Sequence, residues 1–160
     1  MLLRPASLDD AAALQGILDS PEVTAWWGDT SEADLKEQLT GSDVHTLVVE
    51  FDGRVAGMIQ YHEEDEPMYR SAGMDIAMAP GQQDRGLGTD AVRTLARHLL
   101  IGLGHHRLTI DPAAANERAI AVYRKVGFKP VGVMRQYELG PDGTWHDGLL
   151  MDLLKEDFVE

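Results

Sequence analysis
The sequence predicts an α/β (α+β) fold, one domain spanning residues 1–160 in which a mixed sheet of about seven strands carries helices on its faces. Three observations predict it. A strand-like run, Gly73 to Ala79, passes through a glycine-rich loop into a segment with apolar residues at 91, 92, 95, 96, 99, 100 and 103, the spacing of a helix of period about 3.6. Two hairpins are written in their turns: Asp52-Gly53 between Val44–Phe51 and Arg54–His62, and Gly140-Pro141-Asp142-Gly143 between Val131–Leu139 and Trp145–Leu154. The length of 160 residues, with 44% hydrophobic content, suits a single sizeable core.

The elements follow in order from local signals. Leu2 to Pro5 reads as a first strand, and Ser7 caps a helix over Leu8–Asp19 with Asp10 in the capping-box position. Pro21 stops that helix, so Trp26-Trp27-Gly28-Asp29 reads as a loop. Ser31 and Asp34 then cap a helix to about Leu39, which Gly41 ends. Beyond the first hairpin, Glu63-Glu64-Asp65-Glu66-Pro67 reads as a solvated turn and Tyr69–Ala79 as the next strand. A helix from Thr89 to about Leu103 leaves through Gly102 and Gly104, with His105-His106 in a loop and Arg107–Ile110 as another strand. Asn116 caps a late helix, Gly127 sits where a left-handed residue ends it, and Phe128 folds back onto its last turn.

Composition narrows the chemistry. The absence of cysteine excludes disulfides, thiolate zinc sites and a cysteine nucleophile. The six histidines show no i, i+4 pair of the kind that builds a helical zinc site, and no Gly-x-Ser-x-Gly elbow of a serine hydrolase exists, so no metal is expected. A formal charge of −13 disfavours nucleic acid and would draw in a cationic small-molecule amine or a basic peptide, although acidity also serves plain solubility. No apolar run has the length of a membrane span and the N-terminus lacks a signal peptide's apolar region, so a soluble, cytoplasmic protein without membrane contact is expected.

The loop Gln83-Asp84-Arg85-Gly86-Leu87-Gly88-Thr89 carries the strongest functional signal. Its glycines permit a tight turn and a close approach to a ligand, and the first N–H groups of the helix it opens lack intrahelical partners, which makes an anion site suited to a pyrophosphate. No Gly-Lys-Ser/Thr follows and the third glycine of a dinucleotide fingerprint is missing, so both of those phosphate motifs are set aside. On its own the loop reads equally as a glycine-rich connection between strand and helix.

Gln83-x-x-Gly86-x-Gly88 resembles the acetyl-CoA pyrophosphate loop of the GNAT superfamily of N-acetyltransferases, and Asn116 to Phe128 resembles that superfamily's late helix and its exit. Three further stretches resemble the aminoglycoside 6'-N-acetyltransferases: Trp26-Trp27-Gly28, Gly73-Met74-Asp75, and Ile110-Asp111-Pro112-x-x-x-Asn116-x-Arg118-Ala119-Ile120. The resemblance covers most of the chain and implies the GNAT fold, acetyl-CoA as co-substrate and an amine acceptor. The hairpin carrying Trp145-His146-Asp147 departs from the best-known resistance enzymes, which puts the acceptor in question.

By that resemblance the residues 83–89 and Asn116 would hold acetyl-CoA, with Ile76, Ala77 and Met78 offering backbone N–H groups to the thioester carbonyl. Tyr123 would protonate the departing thiolate; it also reads as a packing residue on one helical face with Ala119 and Ile120. Asp75 and Asp111 would lie at the acceptor, taking a proton or holding an ammonium group, and Asp111-Pro112 reads equally as a turn opening. Trp27 would wall the acceptor pocket with Trp26, a pair that reads also as a hydrophobic plug, and Asp147 would face the acceptor from the last hairpin. The rival acceptors are a protein N-terminus or a polyamine, and the rival class is a non-catalytic acyl-CoA binding module.

Overall fold
Alternation of apolar and polar residues builds the strands, and their pairing assembles one seven-stranded sheet in the order β1-β2-β3-β4-β5-β7-β6. The computed structural model describes residues 1–160. Its strands are β1 (Leu2–Pro5), β2 (His45–Phe51), β3 (Arg54–Glu64), β4 (Ser71–Met78), β5 (Arg107–Ile110), β6 (Lys129–Leu139) and β7 (Trp145–Leu154). All neighbours are antiparallel except β4 and β5, whose parallel register is held only at Ala72↔Leu108 and Gly73↔Thr109. Beyond those residues the two strands part. The turn Asp52-Gly53 takes left-handed φ values of 51° and 71°, the requirement of the two-residue hairpin.

Helices cover both faces. On one, α4 (Leu87–Arg97) and α5 (Glu117–Val126) seat Ala91, Val92, Leu95, Ile120, Tyr123 and Val126 against Ile59, Met74, Leu108, Met151 and Leu153. On the other, α1 (Ala11–Leu18), α2 (Pro21–Trp27) and α3 (Glu32–Thr40) close Leu14, Ile17, Leu18, Val23 and Leu35 over Met58 and Ala77. Gly127 ends α5 at φ +114°, and a Cβ there would run into the Asp157 carbonyl, so both its torsion and its surroundings demand glycine.

Several expectations are corrected. The helix expected over Leu8–Asp19 is a tight turn at Leu8–Asp10 followed by α1, with the Ser7 N–H donating to Asp10 Oδ2 at 2.9 Å. Trp26 and Trp27 lie in α2 rather than a loop. Pro21 opens this helix at its first position, where a missing N–H costs nothing, and the extended Ser20 accepts from Val23 and Thr24. α4 begins at Leu87, two residues before the expected start, and after Arg97 it widens into a π-type turn over His98–Gly102. Glu63 is no solvated tip: it belongs to β3, and its carboxylate meets Nε2 of the buried His105 at 2.6 Å. No helix is long and apolar enough to cross a membrane.

Candidate active site
Where β5 leaves β4, the stretch Asp75–Met78 borders no strand on that side, and the parted ends frame a cleft of about 850 Å³. Ile76, Ala77 and Met78 form one wall, and Asn116, Ala119, Val122 and Tyr123 of α5 form the opposite one. A bound ligand can therefore pair with free backbone groups of β4 as a further strand would.

One end of the cleft is built for an anion. Asp84 and Gly86 take left-handed φ values of 59° and 79°, which turns the chain so that α4 starts beside the cleft with no side chain capping it. Gln83, Asp84, Gly86, Gly88 and Thr89 all line that end. The N–H groups of Leu87, Gly88 and Thr89 have no intrahelical acceptor, and the helix dipole adds positive potential there. A Cβ on Gly88 would meet only Met78 Cγ at 3.6 Å, so packing does not demand glycine at that position, and the backbone there lies open to the cleft. Arg118 reaches across from α5, donating to Gln83 Oε1 at 2.8 Å and pairing with Asp84, and Lys125 adds a second cation to the lining. These groups fit a pyrophosphate.

Two expected loop residues stand elsewhere. The Arg85 guanidinium lies over the Phe51 ring, 5.0 Å from its centroid, and donates to Gln82. The Leu87 side chain is buried in the core, so only its backbone faces the site. Asn116 caps α5 through Oδ1, which accepts from the Ala119 N–H at 3.2 Å, and still lines the cleft, so its amide nitrogen can serve a ligand while it caps.

The other end is acidic. Asp75, Asp111, Glu138 and Glu22 line it, together with Trp26 and Trp27. Asp75 is exposed to the open cleft, while protein packs around its carboxyl on the remaining sides and partly buries it. That burial, followed by the negative charge of Asp111, pushes it up to about 6, against a smaller opposing pull from His62. Burial likewise raises Glu138, with Asp111 again adding to it. Tyr123 is buried to 6% exposure at the centre, its phenol held well above the ordinary range by burial first and the charges of Asp75 and Asp111 second. It is a protonated group facing the cleft, and it also packs edge-on against Phe128 at 6.1 Å, so the packing and cleft roles coexist. Trp27 packs partly against the second core while Trp26 stays half-exposed; the pair is plug and wall at once.

Asp147, expected at the acceptor, lies outside the cleft. Its Oδ1 accepts the Gln136 N–H at 2.8 Å, tying down a bulge of β6 instead. Sequence reasoning also passed over Tyr137, whose hydroxyl donates to Asp111 Oδ2 at 2.7 Å, and over Glu138, Glu22 and Lys125. Tyr137 and Glu138 sit in what reads as an unremarked strand, and only the register reveals that the strand bulges toward the cleft.

The cleft thus sets free backbone N–H groups suited to a phosphate-bearing donor alongside an open strand edge that ends among carboxylates, the layout of a group transferase. The chain belongs to the acetyltransferase (GNAT) family, whose profile matches residues 13–128; it is an N-acetyltransferase, and acetyl-CoA is its acetyl donor. The aminoglycoside N(6')-acetyltransferase type 1 of Klebsiella pneumoniae is 30% identical over 162 residues, covering 88% of this chain and 78% of that one. The spermidine N(1)-acetyltransferase of Escherichia coli K12 is 25% identical over 164 residues, covering 98% and 87%. Among solved structures, the aminoglycoside acetyltransferase AAC(6')-Ib in complex with coenzyme A superposes with a TM-score of 0.78 at 27% identity, over 97% of this chain and 95% of that one.

Proposed function
We propose that the chain acetylates a primary amine of a polycationic small molecule, the 6'-amine of an aminoglycoside first among them. The observation that carries this reading is the carboxylate set Asp75, Asp111 and Glu138 at the mouth of the cleft, beside the two tryptophans. An acceptor bearing several ammonium groups gains from each carboxylate, and flat apolar walls suit a sugar face.

Acetyl-CoA supplies an acyl group already activated as a thioester; the protein supplies position and proton traffic. The helix start at Leu87–Thr89, with Arg118 and Lys125, holds the pyrophosphate, and Asn116 bonds the arm that follows it. Backbone N–H groups of Ile76–Met78 polarise the carbonyl, the preorganised donors that acyl transfer needs. Asp111 and Glu138 bind the acceptor's ammonium charge. Asp75, with its carboxyl near 6, is ionised at neutral pH yet basic enough to take a proton from the attacking amine. Once Asp75 is neutral, one of the charges that suppress Tyr123's acidity is gone, so the phenol becomes a better donor to the departing sulfur just as it leaves. The C–N bond forms and the C–S bond breaks; Asp75 takes the proton that the ammonium loses before attack and later releases it to water, and Tyr123 gives its proton to the sulfur and regains one from the nitrogen of the adduct.

The test is thiol release from acetyl-CoA with aminoglycosides bearing or lacking a 6'-amine, beside spermidine, spermine and short peptides. Turnover confined to drugs with that amine supports the reading, and equal turnover of drugs lacking it sinks the regiochemistry. A polyamine is the second acceptor, favoured by the match to the spermidine enzyme along nearly the whole chain. Turnover of spermidine alone would select it, and peptide turnover alone would select a protein N-terminus.

A further inference from the structure
Between Met134↔Gly148 and Glu138↔His146 three residues of β6, Arg135 to Tyr137, face the single residue Asp147 of β7. So large a bulge bends its strand and re-aims the side chains that follow. Gln136 at its apex has φ +48°, a left-handed conformation that a residue with a Cβ adopts only when neighbours impose it. Asp147 imposes it, because Oδ1 accepts the Gln136 N–H at 2.8 Å. The backbone carbonyl of the same residue accepts the Ala114 N–H at 2.9 Å, and the Leu149 N–H donates to Pro112, which pins the loop that follows Asp111 onto β7. One residue thus joins the two segments that meet in the Tyr137–Asp111 hydrogen bond. Gly148 completes the fit: a Cβ there would lie 2.9 Å from Cδ1 of the Tyr137 ring, so the ring reaches Asp111 only over a glycine.

We propose that Asp147 is a positioning residue for the acceptor site: through the bulge that it caps, it holds the Tyr137 phenol on Asp111 and leaves that carboxylate's other oxygen for the acceptor's ammonium. The same bulge delivers Glu138 to the cleft. The proposal rests on the acceptor reading given above. It gives the last hairpin, where this chain departs from the resistance enzymes, an indirect part in acceptor choice.

The hydrogen bond to Asp111 pushes the Tyr137 phenol up to about 12, so its ionisation reports the contact without any substrate. Protein labelled with ¹³C at tyrosine Cζ is followed by NMR to about pH 11, the Tyr137 signal being assigned with Tyr137→Phe. Tyr137 is expected to stay protonated there in the wild type and in Asp147→Asn, which keeps the Oδ1 acceptor. It should be ionised in Asp147→Ala and Gly148→Ala, with circular dichroism confirming the fold. In parallel, KM is measured for kanamycin and spermidine. Asp147→Ala and Tyr137→Phe should each raise the acceptor KM about tenfold and leave that for acetyl-CoA unchanged, the worth of a hydrogen bond to a charged group. Because both act on one contact, the double variant should lose little more than either alone. A Tyr137 that resists ionisation in Asp147→Ala, an equal rise in both KM values, or fully multiplicative losses would each overturn the proposal. If Asp111→Asn leaves the acceptor KM untouched, the acceptor reading itself fails. If Asp111→Asn is damaging and Asp147→Ala silent, only the positioning role fails.

Discussion

Lowering the pH through about 6 should switch off acetyl transfer, because that is where Asp75 takes up the proton that disables it as a base. Burial is the larger cause of its raised value and the Asp111 charge the second. A carboxyl titrating near 6 is about 90% ionised one unit above and about 10% one unit below, so kcat/KM for the acceptor should fall roughly tenfold between about pH 7 and pH 5. If the amine enters as ammonium and yields its proton to Asp75, the profile is flat from there up to the amine's own pKa. Asp111→Asn removes a like charge, which favours ionisation, so the limb moves below 6; burial remains, so it stays above the ordinary 3.8. Asp75→Asn should abolish the limb and cost on the order of 10²–10⁴ in kcat. The assay is initial-rate thiol release at saturating acetyl-CoA. A limb that survives in Asp75→Asn, or a slope of one that persists far above the limb, would refute the assignment; the latter would mean that only amine already neutral in solution reacts. Stability gives an independent check. A carboxyl raised by the fold contributes its stability only while neutral, below its unfolded pKa, and that is lost as the pH rises through about 6. Asp75→Asn should therefore melt above the wild type at alkaline pH and with it in acid.

Tyr123→Phe should lower kcat while leaving the KM for acetyl-CoA within about twofold, since the ring keeps its packing against Phe128 and only the proton donor is lost; wild-type turnover would leave the phenol a packing role alone. Gly86→Ala should destabilise the protein by roughly 1–2 kcal/mol, because φ +79° is forced on a residue with a Cβ, and should shrink the stabilisation by coenzyme A seen in thermal unfolding. Gly88→Ala, which meets only Met78 at 3.6 Å, should fold as the wild type. At the far edge, Arg4 holds Asp10 down to about 2 through a hydrogen bond and charge. Asp10→Asn should cost roughly 1–2 kcal/mol at neutral pH. Because a depressed carboxyl stabilises above its unfolded pKa, that deficit should vanish as the pH falls from 3.8 towards about 2, as urea unfolding at several pH values would show.

Most strands and helices were legible because period, caps and turn residues are local properties. Asp52-Gly53, Ser31 with Asp34, and Asn116 with Gly127 each sit where the structure uses them. The failures share one cause, that a local signal was outvoted by a distant partner. Pro21 reads as a stop but opens a helix whose far end carries both tryptophans to the cleft. Glu63 reads as solvated until His105, 42 residues later, is folded beneath it.

The sequence by itself determined the fold class and, through the glycine-rich turn at 83–89 taken together with the late helix from Asn116 to Phe128, pointed to acetyl-CoA chemistry, because caps, turns and helical period are local properties. The parting of β4 from β5, the crowding and the Asp111 charge that raise Asp75, and the bulge that turns Tyr137 onto Asp111 were decided only by the tertiary structure. Strand register and burial are sums over contacts made by residues far apart in the chain, and no local window contains them. Asp147 shows the difference in one residue: its place on the last hairpin was plain in the sequence, but which groups its carboxylate and carbonyl hold depended on the path of two other segments.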